Sequence, residues 1–540
     1  MSNVSGDVSA DESSALPTGT LDGRSVALTL LSGAVAALVV FPLTWIFVRA
    51  AEVDFARASS ILFRARTIEI IANSLALMGA VTFLSILLGV PLAFLTVRTD
   101  LPFRRFWTIV AALPLAIPSY LGALAYIAMF GPRGELQTLL APLGIERLPE
   151  IYGLGGAILI ITLYTYPYVY LTTRAALKTF DTTLVDAART LNHNYKSAFR
   201  RVTLPQIRPA IAAGALLVAL YAVSDFGTPA FMQLDVFTRQ IYVEYRGWGL
   251  DYAAMLSIQL IAITVVILAL ESKIRGNETI YSEGSGRGKT VVLGAWKWPA
   301  LAFCSLLFLA TLVLPVAVFG QWLATGAASE VSSYAFQWEF ALNSMYVSLA
   351  AALVAALLAL PVAYLNAKRG GALSWLFERA TYVGYAVPGI VIGLALVFFG
   401  ANYAGFLYQT MPLLVFAYVV RFMPQSVGST RMSLLQVNPK LSEASRALGQ
   451  GSFATFRRVT LPLIAPGIVA GAALVFLTTL KELPATLLLR PTGFETLVTH
   501  IWRAEEAAYY SHAAVPAFML LVVSGLSLLL ILRQEGYDGN

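Results

Sequence analysis

The sequence predicts an all-α polytopic membrane protein of about 12 transmembrane helices, arranged as two parallel six-helix repeats. Three observations carry this. Of the 540 residues 58% are hydrophobic and only 12% charged, where a soluble domain carries about 25% charged residues. Many apolar runs exceed the roughly 18 residues that mark a membrane helix. The order of those runs, with their polar punctuation, then occurs a second time. The net charge of +7 therefore speaks of topology and lipid headgroups, with no nucleic-acid partner implied. The lone Cys304, in an apolar run, excludes an intrachain disulfide and a cysteine-based metal site.

Residues 1–25 are polar, rich in Ser, Asp and Gly, and read as an unstructured cytoplasmic tail. The run from about Val26 to Phe47 is longer than a signal-peptide core and starts too far in, so it is a retained first span. Further spans follow at about Ile68–Val97, Phe106–Phe130, Gly155–Thr173, Pro209–Val223 and Tyr252–Leu270, completing a first repeat over 26–271. Arg49, Arg57, Arg64 and Arg66 fall outside in this topology, against the usual bias of Lys and Arg toward the cytoplasm, with Glu52, Asp54 and Glu69 offsetting part of the charge.

Residues 272–298 form a charged, Gly-rich cytoplasmic linker. Its stretch Glu283-Gly284-Ser285-Gly286-Arg287-Gly288-Lys289-Thr290 resembles a phosphate-binding loop, but Glu283 stands where the first Gly is required, and no strand precedes it. The second repeat, 299–533, places spans at about Ala300–Leu323, Phe340–Leu365, Ala380–Gly400, Pro412–Ser429, Ala465–Leu480 and Ala513–Leu532, before a cytoplasmic tail at 534–540. Asn73-Ser74, Pro91 and Pro118 match Asn343-Ser344, Pro361 and Pro388 at an offset of 270 (343 − 73). Pro167 and Arg174 match Pro424 and Arg431 at 257 (424 − 167), so the second half is shorter by 13 (270 − 257) in between. An even number of spans gives both halves one orientation. Both termini are then cytoplasmic.

Two polar, basic stretches stand out between the apolar runs. The first reads Asp186-Ala187-Ala188-Arg189-Thr190-Leu191-Asn192 and continues to Phe199-Arg200-Arg201-Val202-Thr203-Leu204-Pro205. The second reads Glu443-Ala444-Ser445-Arg446-Ala447-Leu448-Gly449 and continues to Phe456-Arg457-Arg458-Val459-Thr460-Leu461-Pro462, 257 positions on (443 − 186). Each reads as two short helices joined by a turn. Asp186 or Glu443 lies near the start of the first helix, where a carboxylate meets the positive end of the dipole. Gly449, or Asn192, supplies the left-handed residue that ends it, Ser452 caps the next helix, and Leu-Pro breaks the chain before the following span.

This pattern resembles the EAA loop of ABC importer permeases, departing from it at Asp186, Asn192 and Ser445. The resemblance implies that Asp186, Ala187, Ala188, Asn192, Leu204 and Pro205, with Glu443, Ala444, Ser445, Gly449, Leu461 and Pro462, dock a separate dimeric ATPase. ATP and Mg would sit on that partner; the chain itself would bind no cofactor and carry no catalytic residue. The resemblance further implies an extracytoplasmic substrate-binding protein and a place in the cytoplasmic (inner) membrane of a bacterium or archaeon.

After each loop, a span ends in a short polar motif: Ser224-Asp225-Phe226-Gly227-Thr228-Pro229 and Lys481-Glu482-Leu483-Pro484-Ala485-Thr486. These look like the motifs of the fused iron(III) permeases of that family, which implies ferric iron as the cargo. Ser224, Asp225, Lys481 and Glu482 are the candidate substrate-pathway residues, since a hard cation favours carboxylate oxygens and ionisable groups in a membrane usually line a pathway. A second reading stays open: the two acids cap helices at the outer mouth, with Lys481 neutralising Glu482. Tyr164, Tyr166, Tyr168 and Tyr170 alternate too quickly to share one helix face and read as an interfacial aromatic cluster. His500, Glu505, Glu506 and His512 lack the tight spacing of a metal site and read as a solvated outer loop. Alternative functions are import of thiamine, a phosphonate or a polyamine by the same machinery, or a gradient-driven secondary transporter. The paired loops argue against the last. A membrane enzyme is more remote, as neither half holds a nucleophile–base or metal constellation.

Overall fold

A computed structural model describes residues 23–132, 134–144, 149–181, 183–191, 194–276, 290–325 and 335–534. Asn192, residues 283–289 of the motif around Gly288, and residues 1–22 and 535–540 of the tails lie outside the described residues, as do the side chains of Asp186 and Ala187. Among the described residues ten helices are long and apolar enough to cross a membrane, or up to twelve when each of two bent helix pairs is counted as one span.

In the first half, α1 spans Gly23–Ala51, α2 Ala65–Arg98, α3 Arg104–Ala112, α4 Ser119–Phe130 and α5 Gly153–Thr179. The loop helix α6 (Thr183–Thr190) leads to α7 (Leu204–Ser224), the short α8 (Gly227–Phe231), α9 (Phe237–Arg246) and α10 (Leu250–Gly276). In the second half, α11 (Lys297–Phe308) and α12 (Leu314–Thr325) make the first span, followed by α13 (Trp338–Arg369), α14 (Ala372–Ala386), α15 (Gly389–Tyr403) and α16 (Met411–Gln436). Loop helix α17 (Pro439–Ala447) leads to α18 (Leu461–Leu480), α19 (Pro484–Leu489), α20 (Leu497–Glu506) and α21 (Ala514–Gln534).

The third span of each half is broken. Ile117 and Val387 adopt extended backbone (ψ 127° and 131°), because the ring of the following Pro118 or Pro388 disfavours the helical region. The chain turns by 95° in the first half and 100° in the second. Leu-Pro does the opposite of what the sequence suggested. At Phe199–Thr203 and Phe456–Thr460 the identical Phe-Arg-Arg-Val-Thr winds as one π turn, and the helix runs on through Leu204-Pro205 and Leu461-Pro462 without a break. A widened turn absorbs the hydrogen bond and the carbonyl space that proline denies to a regular helix.

Three helices form the heart of each half: α2, α5 and α7 in the first, α13, α16 and α18 in the second. Glycine permits their close approach. A Cβ on Gly214 of α7 would lie 2.8 Å from the Val169 Cα, and one on Gly471 of α18 would lie 2.8 Å from the Ser426 Cα, the same contact 257 positions on. Small residues at such crossings are the usual means of packing helices in lipid. The packing does not follow the division into 26–271 and 299–533. Helix α1 lies on α14 and α15, while α12 lies on α4. One apolar core joins α2, α5 and α7 to Cys304, Phe319 and Leu520; the other joins α13, α16 and α18 to Val39, Ile46 and Leu256.

At the end away from the loops, the repeated Asn-Ser pairs hold α9 and α20. Asn73 Nδ2 donates to the Asp235 carbonyl at 3.1 Å, and Asn343 Nδ2 to that of Glu495 at 3.0 Å. Ser74 Oγ accepts from Phe237 N (3.2 Å), and Ser344 Oγ from Leu497 N (2.8 Å). The arginines that ran against the charge bias also gather here. Arg49 reaches Asp251 at 2.8 Å, Arg57 the same carboxylate at 3.1 Å, and Arg66 pairs with Asp235.

Candidate functional site

Two places on the molecule concentrate polar chemistry. The first is the pair of loops. Helix α17 is started by Asn438, whose side chain accepts from Lys440 N at 3.0 Å, and α6 by Asp181, which accepts from Thr183 N at 2.9 Å. These caps lie 257 apart (438 − 181). Glu443 is therefore in mid-helix, a correction to its expected place at the helix start. Gly449 has φ +83°, the left-handed turn expected of it. Ser452 opens its short helix as the first helical residue, and the cap position is Gly451, which has no side chain to offer.

Ser445 is buried, and its hydroxyl meets that of Thr455 at 3.1 Å, tying the two loop helices together. The equivalent places in the first loop are Ala188 and Ala198, both buried. Phe456 packs edge-on against Tyr364 of α13 at 5.4 Å, and Phe199 does the same against Phe94 of α2 at 5.4 Å, so each loop is anchored alike. Its tip is left apolar and open to solvent: Leu448 is 82% exposed and Leu191 76%, again 257 apart.

The second place is a cavity of about 220 Å³ between the halves, lined by all four candidate pathway residues, Ser224, Asp225, Lys481 and Glu482. The breaks in the third spans help form it: Pro118 lies in its wall, and α4 and α15 start beside the two acids. Asp225 Oδ2 accepts from Ser119 Oγ at 3.1 Å, and that hydroxyl accepts from Tyr221 at 3.1 Å. Glu482, 6% exposed, lies 2.5 Å from Arg421 Nη1 of α16 and accepts from Ala485 N at 3.3 Å, which also caps α19. Lys481 instead donates to the Ala116 carbonyl at 3.3 Å. Arg421, not Lys481, neutralises Glu482.

Arg421 was missed from sequence, although a signal was there. It is the one charged residue between Met411 and Gly428, in the middle of an apolar run. Its place corresponds to Tyr164 (421 − 257). Gly389 makes room for the pair: a Cβ there would come within 1.6 Å of Arg421 Nη1 and 2.4 Å of Glu482 Oε1. The matching residue in the first half is Ser119 (389 − 270), the hydroxyl that serves Asp225.

The tyrosines divide by face as their spacing requires. Tyr164 and Tyr168 line the cavity. Tyr170 turns away and donates to the Thr108 carbonyl at 3.3 Å. All of Tyr164, Tyr166 and Tyr170 are buried in the bundle, so the expected interfacial cluster is instead interior packing. The segment with His500 and Glu506 is helix α20, not a solvated loop. His500 is fully buried and stacks on Phe340 at 4.8 Å; burial, and then Arg503, pushes its imidazole down to about 4. Among the described residues no three His, Cys, Asp or Glu side chains gather as a metal site.

Beyond the cavity, on the side away from the loops, α9 and α20 meet. Trp502 stacks on Phe226 (5.2 Å) and Phe231 (5.4 Å) and stands edge-on to Tyr242 (5.6 Å). Arg246 pairs with Glu506 at 2.7 Å. Asp235 and Glu495, held alike by the Asn-Ser pairs, set the local offset at 260 (495 − 235), by which Tyr242 matches Trp502 and Arg246 matches Glu506. Equivalent residues thus meet across the pseudo-two-fold axis, and Phe226 joins this aromatic cluster to the cavity wall.

Comparison with known proteins places these features in a family. The model for binding-protein-dependent transport system inner membrane components matches twice, at residues 85–272 and 354–535. The chain is 32% identical to Fe(3+)-transport system permease protein FbpB 2 of Haemophilus influenzae over 510 residues, 93% of this chain and 97% of that one. It is 25% identical to the ferric transport system permease protein FbpB of Actinobacillus pleuropneumoniae, over 86% of this chain and 70% of the relative. A spermidine/putrescine transport system permease protein, PotB of Haemophilus influenzae, is 32% identical over 167 residues, 31% of this chain and 58% of its own. The chain belongs to the binding-protein-dependent transport system inner membrane components, as a multi-pass permease that carries two copies of the domain in one polypeptide.

Proposed function

We propose that the chain is the complete pathway of an ATP-driven importer for ferric iron in a bacterial or archaeal inner membrane. The duplicated loop is the observation that carries this: two copies of one pair of short helices, anchored by the same edge-on ring contact and each with an exposed leucine at its tip, suit a partner that is itself a dimer. That partner is a separate ATPase, which holds ATP and Mg and docks on α6 and α17. The loops and both termini then face the cytoplasm. A substrate-binding protein delivers cargo at the opposite end, near α9 and α20.

Iron is supported by the names of the two longest-matching relatives above and by the chemistry of the cavity. A hard cation of high charge favours oxygen ligands, and the lining offers a carboxylate at Asp225 among tyrosine side chains. A polyamine is the second reading, favoured by the shorter match to a spermidine/putrescine permease; a polycation would meet the same carboxylate.

Uptake into proteoliposomes tests both. The chain reconstituted with its ATPase and binding protein should accumulate radiolabelled ferric iron only with ATP present, and spermidine poorly. Accumulation driven by an ion gradient in the chain alone would overturn the ATP-driven reading; preference for spermidine would overturn iron.

A further inference from the structure

We propose that Asp225 and Glu482, although equivalent in the repeat, do different work. Asp225 is the carboxylate that a cationic cargo meets. Glu482 is a positioning residue that fixes Arg421 as a permanent positive charge in the facing wall. The inference rests on reading the cavity as the pathway of a cation.

The two acids differ in what already occupies them. The Asp225 carboxylate takes a neutral hydrogen bond from Ser119; Arg421 acts on it through space, but among the described residues no Lys or Arg lies within ion-pair distance of it. Glu482 is committed to the Arg421 guanidinium at 2.5 Å and to the Ala485 N–H. Breaking a buried pair by removing one partner leaves an uncompensated charge, so Glu482 is not free to turn to a passing ion. Gly389 is the other half of the device, since any side chain there would occupy the place of the guanidinium. In the first half the matching three places hold Ser119, Tyr164 and Asp225, and only the acid is charged.

The consequence is electrostatic. The ionisable acids and bases in the lining are Asp225, Glu482, Arg421 and Lys481, whose formal charges cancel. Two uncommitted carboxylates facing each other would grip a hard cation, whereas a pathway needs binding strong enough for entry and weak enough for exit. By occupying Glu482, Arg421 leaves the cargo one carboxylate rather than two. It acts as a built-in counter-ion that keeps the cavity from becoming a trap.

The test is a double-variant cycle in the chain reconstituted with its ATPase and binding protein. Three quantities are read: uptake of radiolabelled ferric iron, iron retained on the purified chain, and thermal unfolding. Arg421→Gln frees the second acid; retention should rise and uptake fall by at least about tenfold. Glu482→Gln should lower uptake by a similar factor without retention. The double variant removes one charge of each sign, leaves the net charge of the lining as it was, and should return to within about threefold of the parent. Its loss of thermal stability should also be smaller than the two single losses together. Asp225→Asn alone should abolish uptake. A double variant no better than the worse single one, or additive losses of stability, would mean that Glu482 meets the cargo itself and would overturn the proposal. If the parent carries no iron at all, the iron reading fails, and the stability cycle still decides whether Glu482 is committed to Arg421.

Discussion

From Asp181 to Pro205, and again from Asn438 to Pro462, the chain writes the same device twice: an Asx cap, a short helix, an exposed leucine, a π turn over Phe-Arg-Arg-Val-Thr. Around the cavity the same internal repeat has diverged. Ser119 stands opposite Gly389, Tyr164 opposite Arg421, Ser224 opposite Lys481, Tyr221 opposite Thr478, each pair at the offset of its own segment. The contrast has a physical reading. Under the proposed function, a surface that meets two copies of one partner must present itself twice, so its two versions stay alike. A cavity on the axis meets one small cargo, which has no reason to be symmetric, and its walls are free to specialise.

Gly389→Ala should break this contrast most severely. Its Cβ collides with the Arg421 guanidinium and the Glu482 carboxylate together, and a disrupted buried pair costs about 3 kcal/mol or more. Thermal unfolding of the purified chain should fall accordingly, while Ser119→Ala, at the matching place, removes two hydrogen bonds worth about 1 kcal/mol each. Equal losses at the two positions would remove the asymmetry.

The aromatic contact on the axis comes next. With Cys304→Ser as background, Thr478→Cys places a thiol in the cavity wall. Adding Trp502→Ala deletes the ring that joins Phe226, Phe231 and Tyr242. A membrane-impermeant thiol reagent applied at the far side should then label the cavity at least about tenfold faster, as expected if the lost packing is worth a few kcal/mol. Unchanged labelling would show that the cavity is closed elsewhere.

The loops should give smaller effects. Gly449→Val forces a β-branched residue to φ +83°, at roughly 1–2 kcal/mol, and should weaken ATPase co-purification more than Asn192→Val. The reverse order would mean that the first loop is the stronger dock. Smallest is Ser445→Ala with Thr455→Ala, which gives the second loop the alanine pair of the first. Removing both hydroxyls leaves no unpaired group behind and should be nearly neutral; a large loss of coupling would show that the loops are less alike than their geometry.

Much of this was legible in the sequence because its causes are local. Apolar runs, the left-handed Gly449, and the fourfold agreement of Asn-Ser, Pro, the Phe-Arg-Arg-Val-Thr stretch and the acids need no knowledge of tertiary contact. What escaped depends on contact. Arg421 and Glu482 are 61 positions apart and meet only because α16 and α18 cross. The exchange of α1 and α12 between halves leaves no local trace, since a lipid-facing and a bundle-facing apolar run read alike. Leu-Pro reads as a helix break because proline breaks a regular helix, whereas here the preceding turn is wide. The positions of the outer arginines were legible as an anomaly, and their reason lies in Asp235 and Asp251, distant in sequence.

If the loops serve one dimeric partner and the cavity one cargo, the loops are interchangeable and the cavity walls are not. Two chimeras measured side by side for ATP-driven iron uptake test it directly. In one, residues 438–462 replace residues 181–205, a swap of equal length that leaves two copies of the second loop. In the other, Ser119→Gly, Tyr164→Arg and Asp225→Glu give the first wall the chemistry of the second. Near-parental uptake in the loop chimera with none in the cavity chimera is the predicted result. An inactive loop chimera beside an active cavity chimera would contradict it.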